Sequence, residues 1–199
     1  MQTLGTYAFS DGALLAESPH HARVGFARPA DLAAARFECE DAPAELRLES
    51  GADLLSAAFG IVPFARRPLP APLFSAAVTP AAQAAFAMFS GGGGPREGAD
   101  PEDFTVLRGE PDDFIVFARR IGGVWDVGAF AVAAGTLTVR FEDVWLRTPA
   151  AFRSSLYRAE VRRDPDVRER LDGVAPDARI FLDHSASGGF LITFTPMGQ

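Results

Sequence analysis

The sequence predicts a mainly β protein: an antiparallel β-sandwich over residues 101–199 behind a smaller, irregular α/β part over residues 1–100. Three observations carry this. From residue 114 on, short β-branched and aromatic segments follow one another with turn residues between most of them. Several of these segments alternate apolar and polar residues with period two. Upstream, Ala, Pro and Gly dominate, and Gly91–Asp103 ("GGGGPREGADPED") mixes glycine, proline and charge as a connector or exposed loop does.

The first part offers short apolar pieces at "GTYAF", "ARVGFA", "ELRL" and "GIVPFA". Two helices are predicted there. "PADLAAARF" has Pro29 at a first-turn position and is rich in alanine, the best helix former. "TPAAQAAFAMFS" has Thr79 as N-cap, Pro80 in the first turn, and Phe86 and Phe89 on one face. In the second part the strands are "FIVFARR", "GVWDVGAFAV", "GTLTVRF", "AFRSSLYRAEV", "DARIFLD" and "GFLITFTP", with a helical turn expected at "PDVRERL". Leu137, Val139 and Phe141 alternate with Thr136, Thr138 and Arg140, and Phe190, Ile192 and Phe194 alternate with Leu191, Thr193 and Thr195. The hairpin turning at Gly122-Gly123 is apolar on both faces, which places it centrally in the sheet. A sandwich of roughly six to eight strands follows.

Composition bounds function. The chain has 199 residues, 48% of them hydrophobic and 23% charged, and no apolar run of membrane-spanning length. All 19 basic residues are arginine, and neither lysine nor asparagine occurs, which points to a GC-rich coding sequence. A net charge of -7 argues against nucleic acid as a partner, because that affinity draws on a basic face. The start lacks the basic and apolar regions of a secretory signal, so the cytoplasm is the default expectation. The single cysteine, Cys39, forms no internal disulfide.

Each reactive-looking group has a plain reading. The glycine run lacks the Gly-Lys-Ser/Thr of a phosphate loop and reads as a linker. His20, His21 and His184 lack the spacing of a metal site and read as solvated, and no metal site is assigned. His184-Ser185 lacks Gly-x-Ser-x-Gly and reads as a turn. Trp125 and Trp145 read as core or half-core aromatics, although either side chain can stack on a sugar. Arg119-Arg120 and Arg162-Arg163 read as edge and loop decoration. Glu38, Glu40, Asp41, Glu45 and Glu49 form an acidic cluster able in principle to supply paired carboxylates or to hold calcium; solvation is the plainer reading.

The run "DDFIVFARRIGGVWDVGAF" resembles the start of the C-terminal β-sandwich domain of glycoside hydrolase family 97, a family of calcium-requiring α-glucosidases and α-galactosidases. The similar features are Ala118-Arg119-Arg120, the turn at Gly122-Gly123, then Trp125, Val127 and Gly128. The likeness continues through "LTVRFEDVWL", "LYRAEVRRDPD" and "GGFLITFTP", covering about residues 104 to 197. Upstream, "VPFARRPLPAPLFS" resembles the end of the family's catalytic barrel, with Pro63-Phe64-Ala65-Arg66 in place of a Pro-Phe-Thr-Arg run and Leu73 where an aspartate belongs. The resemblance places the family's catalytic and calcium-binding glutamates near Glu40, Glu45 and Glu49, out of clean register; no catalytic residue is therefore assigned and no ligand-binding residue is identified.

A complete (β/α)₈ barrel takes about 250 residues, and about a hundred precede the sandwich. The expectation is a terminal piece or shortened relative of such a glycosidase, or a partner of a separate catalytic chain. That implies a non-catalytic sandwich module, structural or weakly carbohydrate-binding, whose partner is a catalytic barrel chain or a carbohydrate, with no cofactor and no membrane. The alternatives are a reduced α-glycoside hydrolase, which alone would need calcium, and a structural assembly subunit unrelated to carbohydrate.

Overall fold

The structure is a computed structural model describing residues 6–10, 13–18, 21–26, 46–60, 71–90, 102–110, 112–164 and 167–198, the first three ranges as backbone. Its centre is a six-stranded antiparallel sheet in the order β11-β10-β13-β8-β7-β6. These strands are β6 (Asp103–Glu110), β7 (Phe114–Ile121), β8 (Val124–Ala131), β10 (Tyr157–Arg163), β11 (Val167–Val174) and β13 (Gly189–Pro196). The Gly122-Gly123 hairpin, β7 with β8, lies inside the sheet, as its two apolar faces require. Gly122 has φ +60, the positive value that the first central residue of a II′-type turn needs.

Against one face lies a second antiparallel pair, β9 (Gly135–Arg140) with β12 (Arg179–His184), which makes the sandwich. Leu137, Val139, Ile180 and Leu182 point inward onto Val116, Trp125, Val127, Ile192 and Phe194 in one core. Phe141 closes it, stacked on Phe194 at 4.3 Å between ring centroids. A short helix, α3 (Glu142–Trp145), and a 3-10 turn at Ala150–Phe152 occupy the stretch before β10. The strand expected over "AFRSSLYRAEV" therefore begins only at Tyr157.

The opposite face carries a different layer. There β4 (Arg47–Leu48), α1 (Gly51–Gly60), β5 (Leu73–Phe74) and α2 (Pro80–Phe89) follow in chain order. The two strands pair in parallel, Arg47 opposite Leu73 and Leu48 opposite Phe74, so β4-α1-β5 is a crossover unit. Leu54, Leu55, Phe59, Ala82, Phe86 and Met88 pack on Ile115, Phe117, Phe130 and Leu191 of the sheet in a second core. That core joins residues from both sides of position 100. The sheet is thus covered on both faces, by strands on one and by helices on the other. A further antiparallel sheet, β1-β2-β3 (Thr6–Ser10, Ala13–Ser18, His21–Phe26), is formed near the start of the chain.

Two elements differ from the sequence reading. Of "PDVRERL", residues 167–171 are strand, not a helical turn, and Pro165 and Asp166 lie outside the described residues: β11 pairs with β10 from Arg163↔Val167 to Tyr157↔Val174, and the ladder outweighs the helical propensity of Arg, Glu and Leu. The helix α1 was not foreseen. Its start is a reciprocal cap, the Asp53 amide donating to Ser50 Oγ at 3.3 Å and the Ser50 hydroxyl donating to Asp53 Oδ2 at 2.9 Å. Ser50-x-x-Asp53 before an apolar run is the signal that announces it. The helix at Pro80–Phe89 forms as predicted, with Thr79 Oγ1 accepting from the Ala82 amide. "PADLAAARF" lies outside the described residues, as does most of the Gly91–Asp103 connector.

Candidate functional site

The feature built with the tightest tolerances is the joint between the helical layer and the sheet. Gly51 opens α1 directly over the end of β8: a Cβ there would stand 2.4 Å from the Ala131 carbonyl oxygen. Gly189 opens β13 under α2, where a Cβ would meet the Ala129 oxygen at 2.2 Å and Ala82 Cα at 3.0 Å. At Gly128 a Cβ would strike the Phe117 ring at 2.6 Å and Met88 at 2.7 Å. At Gly51 and Gly189 glycine lets helix backbone approach strand backbone, its recognised use, and at Gly128 it makes room for the Phe117 ring and the end of Met88. The Trp-x-Val-Gly run and the final Gly-Gly-Phe are therefore packing motifs.

The turn between β12 and β13 fastens the joint. Ser187 holds a left-handed conformation, φ 52, uncommon for any residue but glycine. Its hydroxyl accepts from the Gly51 amide at 2.8 Å, its carbonyl accepts from the Thr79 amide at 3.2 Å, and its own amide donates to Val132. One residue so satisfies a backbone donor at the start of each helix, groups that would otherwise lack partners.

Beyond the helices the same sheet face carries charge. Arg119 and Asp126 stand directly opposite on β7 and β8, with Nε 3.4 Å from Oδ2, and their side chains are 5% and 1% exposed. The Thr193 hydroxyl donates to Asp126 Oδ1 at 2.8 Å. Arg120 ion-pairs with Glu102, donates to the Gly122 carbonyl at 2.9 Å, and sits 6.0 Å from the Trp125 ring. This corrects the reading of Arg119-Arg120 as edge decoration, since both lie on an interior strand. Asp126 was missed by sequence reasoning, though the signal existed: residues equidistant from a two-residue turn are cross-strand partners, and 119 and 126 are equidistant from Gly122-Gly123. The same correction applies to Arg162-Arg163, which end β10, an interior strand, and are half-buried, with Arg163 paired to Glu169 at 2.5 Å.

Neither tryptophan presents an open ring. Trp125 is fully buried, its indole N–H donating to Thr148 Oγ1 at 2.7 Å. Trp145 is half-buried under the Arg153 guanidinium at 4.9 Å and donates to the Ser154 carbonyl. His184 is not solvated as expected: it is 9% exposed, since it ends β12 on the inward-facing side, with Nδ1 3.2 Å from the Ser185 carbonyl. The turn predicted at Ser185 is present.

Of the acidic cluster, Glu38, Glu40, Asp41 and Glu45 lie outside the described residues, as do His20, Cys39, Pro63-Phe64-Ala65-Arg66 and the glycine run. Glu49 is exposed just before α1, its amide donating to Asp53. The parallel pair turns Leu48 and Phe74 toward the helices and turns Arg47 and Leu73 away, with Leu73 52% exposed. No group of three His, Cys, Asp or Glu side chains able to hold a metal occurs among the described residues. Among them, no helix is long and apolar enough to cross a membrane.

No family model matches the sequence, and no curated protein does. Solved structures do. A glycoside hydrolase family 97 enzyme from Pseudoalteromonas sp. strain K8, in complex with acarbose, superposes with a TM-score of 0.55 over 75% of this chain at 17% identity. The E480Q form of that enzyme with panose gives 0.56 over the same share. In both the match spans 29% of the enzyme's chain, so this chain covers under a third of its neighbours' length. The fold, a mainly antiparallel sandwich with a helical layer on one face, is one that family 97 enzymes contain.

Proposed function

We propose that the chain acts as a non-catalytic β-sandwich module, or truncated relative, of a family 97 α-glycosidase. Its sheet serves as a platform that holds βα units of a barrel in place, with weak contact to carbohydrate as a secondary role. One observation carries this reading: the glycines of the family-like motifs, Gly128 and Gly189, sit where α2, the helix that follows the parallel β4-α1-β5 unit, docks on the sheet. Parallel pairing through a crossover helix is the repeating unit from which (β/α) barrels are made. The superposition on family 97 enzymes supports the same assignment. The partner that fits is a catalytic barrel, since the parallel sheet among the described residues has two strands, far short of a closed one.

The absence of hydrolysis is part of the proposal. Paired-carboxylate catalysis needs two acids about 5–10 Å apart across the sugar. On the parallel pair the residues turned away from the helices are Arg47 and Leu73, neither of them an acid. The test is purified protein with chromogenic α-glucosides and α-galactosides, with calcium and with chelator. No turnover is expected in either condition. Calcium-dependent turnover that disappears in Glu40→Gln, Glu45→Gln or Glu49→Gln would establish a reduced hydrolase instead.

A further inference from the structure

We infer that the outer face of the β9–β12 pair is a sugar-stacking platform centred on Phe181, which names a place for the carbohydrate contact and rests on the reading above for its ligand class. Phe181 is 66% exposed, the most open of the large hydrophobic side chains described. Alternation along β12 explains why: Ile180 and Leu182 enter the core, so Phe181 must point outward. Its direct cross-strand neighbour is Thr138. On the same face lie the pair Thr136 and Asp183 to one side and the pair Arg140 and Arg179 to the other.

The surroundings of the ring identify the occupant. The Thr136 hydroxyl donates to Asp183 Oδ1 at 2.6 Å, which orients the carboxylate and leaves its second oxygen as an acceptor. Arg140 is engaged by Asp143 through two nitrogens, at 2.9 and 3.3 Å. Arg179 makes no ion pair with another described residue, although it stands directly opposite Arg140. A flat aromatic face is thus flanked by an acceptor on one side and donors on the other. Docking a protein surface here would bury a single ring at the cost of desolvating Arg179, Arg140 and Asp183. A pyranose ring meets both demands: its C–H face covers the phenyl ring, and its hydroxyls replace the water on the charged groups.

The experiment is native electrophoresis of the full chain in gels containing amylopectin, galactomannan or xylan, with a glycan-free gel as reference. Retardation is expected in at least one glycan gel, and Phe181→Ala should weaken it by about tenfold. Phe181→Trp should retain or strengthen retardation, and Arg179→Ala should weaken it. Both Ala variants should keep the urea midpoint of the parent, because both side chains are exposed. Failure of the parent to be retarded in every gel overturns the inference, as does equal retardation of parent and Phe181→Ala. So does a change in sedimentation on Phe181→Ala with retardation unaltered, which would make the ring a protein contact. The hydrolysis assay judges the non-catalytic reading separately, so either can fail alone.

Discussion

Replacing Gly189 by alanine tests the helix–sheet joint with a single methyl group. Gly189 does not have a positive φ, so alanine is conformationally permitted and by itself would stabilise the chain by about 0.4–1 kcal/mol through the unfolded state. Against that, the new Cβ would lie 2.2 Å from the Ala129 carbonyl oxygen and 3.0 Å from Ala82 Cα. Both obstacles are backbone, one in β8 and one in α2, so neither can rotate aside; β13 and the helix must separate. Overpacking of this kind costs about 1–3 kcal/mol, and backbone on two sides puts the site at the upper end. The expected net loss is about 2 kcal/mol, or a fall in Tm of about 4–8 °C for a chain of this size. Gly123→Ala is the control. Its Cβ would meet Phe152 Cβ and Pro196 Cγ at 3.3 Å, only a few tenths of an ångström inside ordinary contact, and a loss of no more than about 1 kcal/mol, clearly below that of Gly189→Ala, is expected. Urea unfolding followed by fluorescence gives both values, and amide hydrogen exchange over Ala85–Met88 reports whether α2 is what loosens. If Gly189→Ala is as stable as the parent and α2 keeps its protection, the close approach is not there and the docking argument falls.

Trp125→Ala should destabilise the fold by about 3–5 kcal/mol, because the ring is fully buried and its N–H bond to Thr148 is lost as well. Trp145→Ala should cost no more than about 2 kcal/mol, as that ring is half-exposed; equal urea midpoints for the two variants would contradict the burial described. Asp172 accepts hydrogen bonds from Arg158 and Arg170, which hold its carboxyl below the usual carboxylate range. A depressed folded-state value means that its contribution is present above the unfolded pKa and fades as pH falls through the folded one. Arg158→Gln should therefore raise the Asp172 titration midpoint seen by carboxyl-carbon NMR, and an unmoved midpoint would remove Arg158 as the first cause.

What the sequence determined by itself was everything encoded by period and turn chemistry. Leu137-Val139 and Phe190-Ile192-Phe194 face the core because alternation leaves a strand with one apolar side no other choice, and Gly122-Gly123 fixed the hairpin and with it every pairing from Ile121↔Val124 outward. Thr79 and Pro80 fixed the start of α2 for equally local reasons, satisfaction of an end amide and a preset φ. The cap at Ser50 and Asp53 was just as legible, though the flanking Gly51 and Gly60 disguise that helix in the sequence. Only tertiary structure decided the rest. Whether "VRERL" becomes strand or helix depends on β10 lying beside it, because its Arg, Glu and Leu favour helix. Whether Arg119 is surface or interior depends on its strand's place in the sheet and on Asp126 arriving opposite. Why residues 51, 128 and 189 are glycine depends on which backbone and side-chain atoms come within a methyl's reach, and those belong to segments tens of residues away. The outward aromatic, Phe181, sits between these cases: alternation makes it point away from the core with Arg179 and Asp183 of its own strand on the same face, but only the packing of β9 beside β12 adds Thr136, Thr138 and Arg140. Period and turn chemistry are local and survive in the chain as written; burial, close approach and charge pairing are properties of segments brought together, and no single stretch contains them.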